Sequence, residues 1–254
     1  MTLVLTELTP LGIAMAADST VTFFEPDSGR LFAKPNAAEK LQAVPYLNAG
    51  VSCWGLGQIG SAATDSWLSQ FITAHDKATD LSVFAETLAV ALREEVGPSP
   101  RCEARLGFHI AGYETYDGEA LPSFYHVHDG PSTTLALRSK TVDPSRFNAN
   151  HDMPPEEFRK CLLKSGGWIT RNGTYQIYGQ MFQLLEGFFA QLATKGIAIP
   201  HSQNLRDRAE YLVFQIRTVA DIYRLSNLHP GIGGAIQFLT ISPKGLHSVG
   251  KSYH

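Results

Sequence analysis

Gly12-Ile13-Ala14-Met15-Ala16-Ala17-Asp18-Ser19 is the stretch on which the fold turns. Five apolar residues follow a glycine, and the run stops on a carboxylate and a hydroxyl. A compact apolar run bounded by turn residues reads as a buried strand. Upstream, Thr2 to Leu8 alternates weakly and is rich in β-formers, and Thr9-Pro10-Leu11-Gly12 reads as a turn. The two runs predict an antiparallel hairpin at the chain terminus, with Asp18 returning beside Thr2.

Further along, Thr20 to Phe24 and Arg30 to Ala33 flank Pro26-Asp27-Ser28-Gly29, which predicts a second, more exposed hairpin. Lys40 to Val44 and Ala49 to Trp54 read as short strands. The glycine-rich turn Gly55 to Gly60 leads into a helix over Ser61 to His75, with apolar residues at helical spacing. A second helix spans Leu81 to Val96, with Asp80 as its N-cap and Gly97-Pro98 as its stop. Leu106 to Ala111 and Phe124 to Val127 are expected as strands around a polar loop, Tyr113 to Pro122. Residues 131–167 read as a long loop or insertion with a short helix near Glu156 to Leu163. Helices over Tyr178 to Lys195 and Asn204 to Ser226 follow. A hairpin of Ala235 to Ile241 and Leu246 to Val249, around Ser242-Pro243-Lys244-Gly245, closes the chain. Helices come in pairs, so a simple βαβ alternation does not fit. The expectation is an α+β chain with two sheets stacked between two helical layers, and residues 1–254 as a single domain.

The chain has 254 residues, 44% hydrophobic and 18% charged, which allows an ordinary buried core. Its formal charge is 21 − 24 = −3, with Lys and Arg scattered, so no basic field for nucleic acid is expected. No apolar run reaches the roughly 18 to 20 residues of a membrane-spanning helix. Cys53, Cys102 and Cys161 form no CxxC pair and are odd in number, which fits a reducing cytoplasm better than a disulfide-stapled secreted domain. Ala14-Met15-Ala16 resembles a signal-peptidase site. No Lys or Arg precedes Arg30, however, and Glu7 and Pro10 interrupt the apolar run, so a secretory signal is rejected.

Thr2 is the first candidate for chemistry. Methionine ahead of a small residue is usually trimmed, which leaves a residue carrying both a hydroxyl and a free α-amine. Such an amine has a reference pKa of about 7.7 to 8.0, so a large minority is neutral at neutral pH. It accepts the hydroxyl proton, usually through a water, and later returns it to the leaving group. A nearby cation lowers that pKa, and a carboxylate holds the cation in place. Asp18 and Lys40 supply those two groups.

The run Gly12 to Ser19 resembles the second-strand signature of proteasome-type peptidases: glycine, apolar residues, then Asp-Ser. Thr2 to Asp18 is 18 − 2 = 16 positions, the spacing of the threonine and aspartate in that family. Glu39-Lys40-Leu41-Gln42-Ala43-Val44 is similar to its lysine strand. Ala49-Gly50-Val51-Ser52-Cys53-Trp54-Gly55 is similar to the strand and turn that supply its oxyanion amide. His109 to Tyr113 with Phe124 to Val127, and Gly233-Gly234-Ala235-Ile236 through Thr240-Ile241 to Gly245, resemble its central and closing strands. The resemblance spans most of the chain, excepting about 131–167.

It implies the four-layer αββα sandwich of N-terminal nucleophile hydrolases, in the bacterial proteasome-homologue form. Thr2 would attack a peptide carbonyl and form an acyl-enzyme. Asp18 would orient Lys40, and a backbone N–H at Gly55 would stabilise the oxyanion, a contribution typically worth about 3 to 4 kcal/mol. It further implies a cytoplasmic, self-compartmentalising homo-oligomer of stacked rings, with a double ring expected. Its substrates would be peptides or unfolded protein, and no cofactor or metal is called for. The sequence identifies no ATPase partner.

Several positions depart from the family's pattern. Lys34, at 34 − 2 = 32 positions from Thr2, has the family's lysine spacing by count. Lys40 has the better local pattern, and choosing it implies a longer exposed hairpin after Asp18. Where the family has a serine before a glycine, this chain has Asn172. Where the family has Asp-x-x-Ser, it has His229 and Ile232. Asn172 and His229 are polar enough to substitute, and Ile232 is not. Two other readings therefore stand beside the peptidase: a catalytically silent, ring-forming structural subunit, and a small-molecule amidase on the same fold.

Four other signals have plainer readings. Gly55-x-Gly57-x-x-Gly60 has dinucleotide-turn spacing, but a second helix follows where a parallel strand is needed. His126-x-His128-Asp129 puts two imidazoles on one strand face, and an ordinary partly exposed strand pair is the preferred reading over zinc. Cys53 reads as core. Tyr175, Tyr178, Phe182, Phe188 and Phe189 read as helix packing or a subunit interface.

Overall fold

The computed structural model describes residues 1–25, 27–97, 106–130, 147–174, 176–199, 203–229 and 231–252. The terminal hairpin consists of β1 (Leu3–Thr9) and β2 (Gly12–Ala17), paired antiparallel from Val4↔Ala17 to Thr9↔Gly12. Every residue of these two strands is buried, on both faces, so alternation sorts two dry sides. Leu3, Leu5, Ala14 and Ala16 join one apolar cluster, and Val4, Leu8, Ile13 and Met15 join another. This is why the run reads as continuously apolar rather than alternating.

The hairpin is the middle of a five-stranded antiparallel sheet. Its neighbours are β12 (Trp168–Gly173) beside β1, then β13 (Ile236–Ser242) and β14 (Gly245–Ser252) beside β2. The second five-stranded sheet runs β11 (Asn148–Met153), β10 (Glu119–His128), β9 (Leu106–Tyr116), β6 (Ala49–Gly55) and β5 (Leu41–Val44). Helices α1 (Thr64–Ala74) and α2 (Leu81–Glu95) bury Leu68, Phe71, Phe84 and Leu88 against Val51, Phe108 and Val127 of that sheet. Helices α4 (Gln176–Ala193) and α5 (Leu205–Leu225) bury Phe182, Leu212 and Ile216 against Leu3, Leu5 and Ile236 of the first. Val4, Met15, Leu239 and Ile241 meet Trp54, Ala111 and Phe124 between the sheets. Full burial of each such side chain contributes about 1.5 to 3 kcal/mol.

Caps agree with the helix limits read from the sequence. Asp80 accepts from Val83 N at 2.8 Å, and Asn204 with Asp207 forms a capping box on α5. Helix α3 (Pro155–Ser165) lies where a short helix was expected, with Phe158 buried between the sheets. Residues 131–146 of the expected insertion lie outside the described residues.

Three expectations fail for physical reasons. The supposed loop Tyr113 to Pro122 is the end of a long hairpin, β9 to β10, turning at Asp117-Gly118 with φ of 51° and 78°. An Asp-Gly pair supplies the positive φ values that a two-residue hairpin turn requires, and the polar residues around it are exposed strand ends. Strands β11 and β12 were missed because Asn148-Ala149-Asn150-His151-Asp152-Met153 and Arg171-Asn172 are polar, as edge strands tolerate. Finally, α1 starts at Thr64, because β7 (Gln58–Ile59) and β8 (Ala62–Ala63) close a small hairpin first. Among the described residues no helix is long and apolar enough to cross a membrane, and Cys53 and Cys161 are unpaired.

Candidate active site

Asp18 follows β2 and is fully buried. Its Oδ1 accepts from Leu3 N at 2.9 Å and Lys40 Nζ at 3.0 Å. Its Oδ2 accepts from Thr20 N at 3.1 Å and Gly233 N at 3.3 Å. Three backbone amides and one ammonium thus occupy the carboxylate, which is what a buried charge requires. Lys40 is 5% exposed, and its Nζ also donates to Thr20 O at 2.5 Å. Cys53 N donates to Lys40 O at 2.9 Å, tying the lysine to β6.

The local fold explains why Lys40 and not Lys34 reaches Asp18. Lys34 ends β4 (Arg30–Lys34), which pairs with β3 (Val21–Glu25) in an exposed hairpin, opposite Val21. The chain then returns through Asn36. Ser19 O accepts from Ala37 N and Ala38 N, and Asn36 Oδ1 accepts from Ser19 Oγ at 3.3 Å and Ala235 N at 2.5 Å. The Asp-Ser pair therefore anchors the segment that delivers Lys40.

Thr2 is 5% exposed. Its carbonyl accepts from Thr174 N at 2.7 Å, and its Oγ1 donates to Met1 O at 2.8 Å. The Met1 amine donates to Thr22 Oγ1 at 3.3 Å. Burial holds that amine below its ordinary value, the Lys40 charge pushes the same way, and Asp18 opposes both. The Met1 side chain fills the space over Gly231, where a Cβ would stand 2.2 Å from Met1 Cε, so a side chain at 231 would require Met1 to shift.

Gly55 ends β6 at φ 98°, a conformation that L side chains rarely adopt. It borders a cavity of about 150 Å³ together with Met1, Thr2, Lys40, Cys53 and Asp65. Four of the six residues singled out from the sequence, Thr2, Asp18, Lys40 and Gly55, therefore gather at or beside one cavity.

The other two do not join them. Asn172 lies opposite Val4 in the β1–β12 pairing, and its Oδ1 is 2.7 Å from His109 Nε2. His229 turns the chain through Gly231 N to His229 O at 2.8 Å, and its buried Nε2 has no partner among the described residues. Ile232 packs in the apolar cluster beneath α4 and α5. Thr20, Thr22 and Asn36 were missed. The signal was their place immediately after Asp18 and before Lys40, where the chain has to bend around the pair.

The signals set aside also have places. His126 and His128 are buried, not partly exposed as expected, because β11 covers them: His126 packs 5.8 Å from Trp54, ring centre to ring centre. Among the described residues no group of three His, Cys, Asp or Glu is gathered to hold a metal. Burial pushes the Cys53 thiol up to about 12, which makes it a poor nucleophile. Tyr178 and Phe182 stack in the core, and Phe188 is half exposed; Tyr175 lies outside the described residues.

No family profile matches the chain, and no curated protein matches it. Among solved structures it is similar to the Anbu (Gly-1) mutant from Hyphomicrobium sp. strain MC1, with a TM-score of 0.52 and 13% sequence identity. The match covers 100% of this chain and 87% of that one. At that identity the likeness speaks to the fold alone, and it supports a proteasome-like fold.

Proposed function

We propose that the chain is a threonine-type N-terminal nucleophile hydrolase that cleaves peptide bonds. Once Met1 is removed, Thr2 Oγ1 attacks the substrate carbonyl and forms an acyl-enzyme, which water then hydrolyses. The Thr2 amine takes the hydroxyl proton through a water and returns it to the leaving amine. Asp18 holds Lys40, whose charge favours the neutral amine, and the Gly55 N–H receives the developing oxyanion.

The observation that carries this reading is the Lys40–Asp18 pair. It is buried, hydrogen-bonded and joined by Asp18 Oδ1 to Leu3 N, the peptide next to Thr2. The lowered Met1 amine, with Lys40 among its causes, supports the same electrostatics for an amine at this place.

The reading extends to the whole architecture. Residues 1–254 form one domain, a four-layer αββα sandwich, and copies associate into rings with the sites inside. The three apolar clusters described above are those such a sandwich would have. Exposed Leu184 and Phe188 on α4 are suited to contact between copies.

A second reading, a catalytically silent structural subunit, is favoured by Met1 seated over Gly231 and by Ile232 in the core. Intact mass of the purified protein, followed by turnover of peptide-amide reporters against Thr2→Ala, decides between them. Loss of Met1 and reporter turnover absent in Thr2→Ala uphold the hydrolase. Retained Met1, or equal rates in the two proteins, supports the silent subunit.

A further inference from the structure

We infer that Asp65 makes the cavity beside Thr2 selective for a basic side chain, so that the preferred substrate is a peptide cut after lysine or arginine. This rests on the hydrolase reading above. The cavity wall carries two charged side chains, Lys40 and Asp65. Lys40 is already matched by Asp18 and by Thr20 O. Asp65 is not matched by a cation: among the described residues no ion pair involves it, and its partners are the backbone amides of Glu39 and Ser66, each at 2.9 Å. A carboxylate has about four acceptor sites, so two amides leave it able to receive an ammonium or guanidinium.

The shape agrees with the charge. Small residues, Ala37, Ala38, Ala63 and Thr64, line the space around Asp65. A volume of about 150 Å³ is the size of cavity that holds a benzene ring in other proteins, which suits one long side chain. Val21, Phe23 and Leu56 border the same cavity and offer apolar surface to an aliphatic stem. A neutral side chain of the same length would fill the space but strip water from the carboxylate without replacing it. An acidic side chain would be repelled.

Asp65 also has a structural part, because its backbone oxygen accepts from Gln42 Nε2 at 2.7 Å. A purely structural role would change all substrates alike, so the test reads a ratio. Protein lacking Met1 is assayed with peptidyl-amide reporters that differ only in the residue before the scissile bond: lysine, norleucine or glutamate. Lysine is expected to exceed norleucine in kcat/KM by about tenfold, with glutamate lowest. Asp65→Asn is expected to bring lysine and norleucine within about twofold at unchanged thermal melting. Norleucine equal to or above lysine in the natural sequence, or an unchanged ratio in Asp65→Asn, overturns the inference while leaving the hydrolase reading intact. The same three peptides, carrying a fluorophore, are titrated onto Thr2→Ala. If no protein turns over any reporter, the hydrolase reading fails. Tighter binding of the lysine peptide that disappears in Thr2→Ala/Asp65→Asn still upholds the selectivity, and equal binding of lysine and norleucine peptides overturns it.

Discussion

Two of the buried polar clusters in this molecule solve the same problem differently. At the end of the terminal hairpin, Asp18 and Lys40 stay as a hydrogen-bonded pair, with three backbone amides on the carboxylate. Deeper between the sheets, His109, His126 and His128 sit ring against ring, with His126 centred 5.2 Å from His109 and 4.4 Å from His128. Burial depresses all three pKa values, with His109 lowered to about 3. His109 is held neutral by its neighbours: Thr6 Oγ1 donates to Nδ1 at 3.0 Å, and Nε2–H donates to Asn172 Oδ1 at 2.7 Å, an assignment that follows from the amide's orientation. His128 Nδ1 accepts from Gly130 N, so its proton is on Nε2. Turning the Asn150 amide over lets Asn150 Oδ1, otherwise without a partner among the described residues, receive it. The comparison teaches that beside the cavity and Thr2 the chain gathers three backbone donors on one carboxylate and keeps it paired with a lysine. At the histidine cluster it buries polar rings in their neutral form.

The largest expected effect breaks the neutral cluster with acid. A histidine whose folded pKa is depressed contributes stability fully present above the unfolded value, near 6.5, and lost as pH falls toward the folded value. For His109 the window runs from about 6.5 to about 3. The loss builds up across that window and is on the order of several kcal/mol in all. Asp152 and Asp129 face the cluster, and the charge of Asp152 acts against the depression at His109 and His128. Denaturant melts across this range should show that loss, and His109→Gln should remove about one proton's share of it. A flat profile above pH 4 would mean that the rings do not remain neutral on folding.

Breaking the charged cluster comes next. Lys40→Met leaves Asp18 buried and unpaired and should cost about 3 to 5 kcal/mol in equilibrium unfolding. Adding Asp18→Asn should recover much of that stability without recovering reporter turnover. Recovery of both would show that the pair is only structural. Asn172→Ala removes the acceptor of His109 Nε2–H and should cost about 1 to 3 kcal/mol with little change in turnover. A selective loss of turnover would return Asn172 to the reacting groups. The smallest effect is expected from Thr6→Val, which removes one donor to His109 Nδ1 at nearly constant shape and should cost about 1 kcal/mol.

Much of the charged cluster was legible because its parts lie close together along the chain. Gly12 to Ser19 announces the strand and its polar stop, and the alternation after it brings Lys40 back. Counting alone pointed to Lys34 and the local pattern to Lys40; Lys34 lies on the exposed hairpin β3–β4, and Lys40 is the lysine that meets Asp18. The histidine cluster was not legible. His109, His126 and His128 come from two neighbouring strands, and Asn172 joins from the facing sheet, 172 − 109 = 63 positions beyond His109. No local pattern records that meeting. It also disguised Asn172, whose place before a glycine suggested service at Thr2. His229 misled for a related reason: a polar residue near the right glycines does not specify where its ring points.

Met1 gives one more consequence, for how the protein is handled. Its amine is held against Thr22 and its side chain fills the space over Gly231. A peptide fused ahead of Met1 would begin at the wall of this cavity, beside Thr22. An N-terminal affinity tag would therefore be a tethered plug, and inactivity measured on such a fusion would report on the tag. Protein for the assays above needs its tag on the last strand's side, after β14.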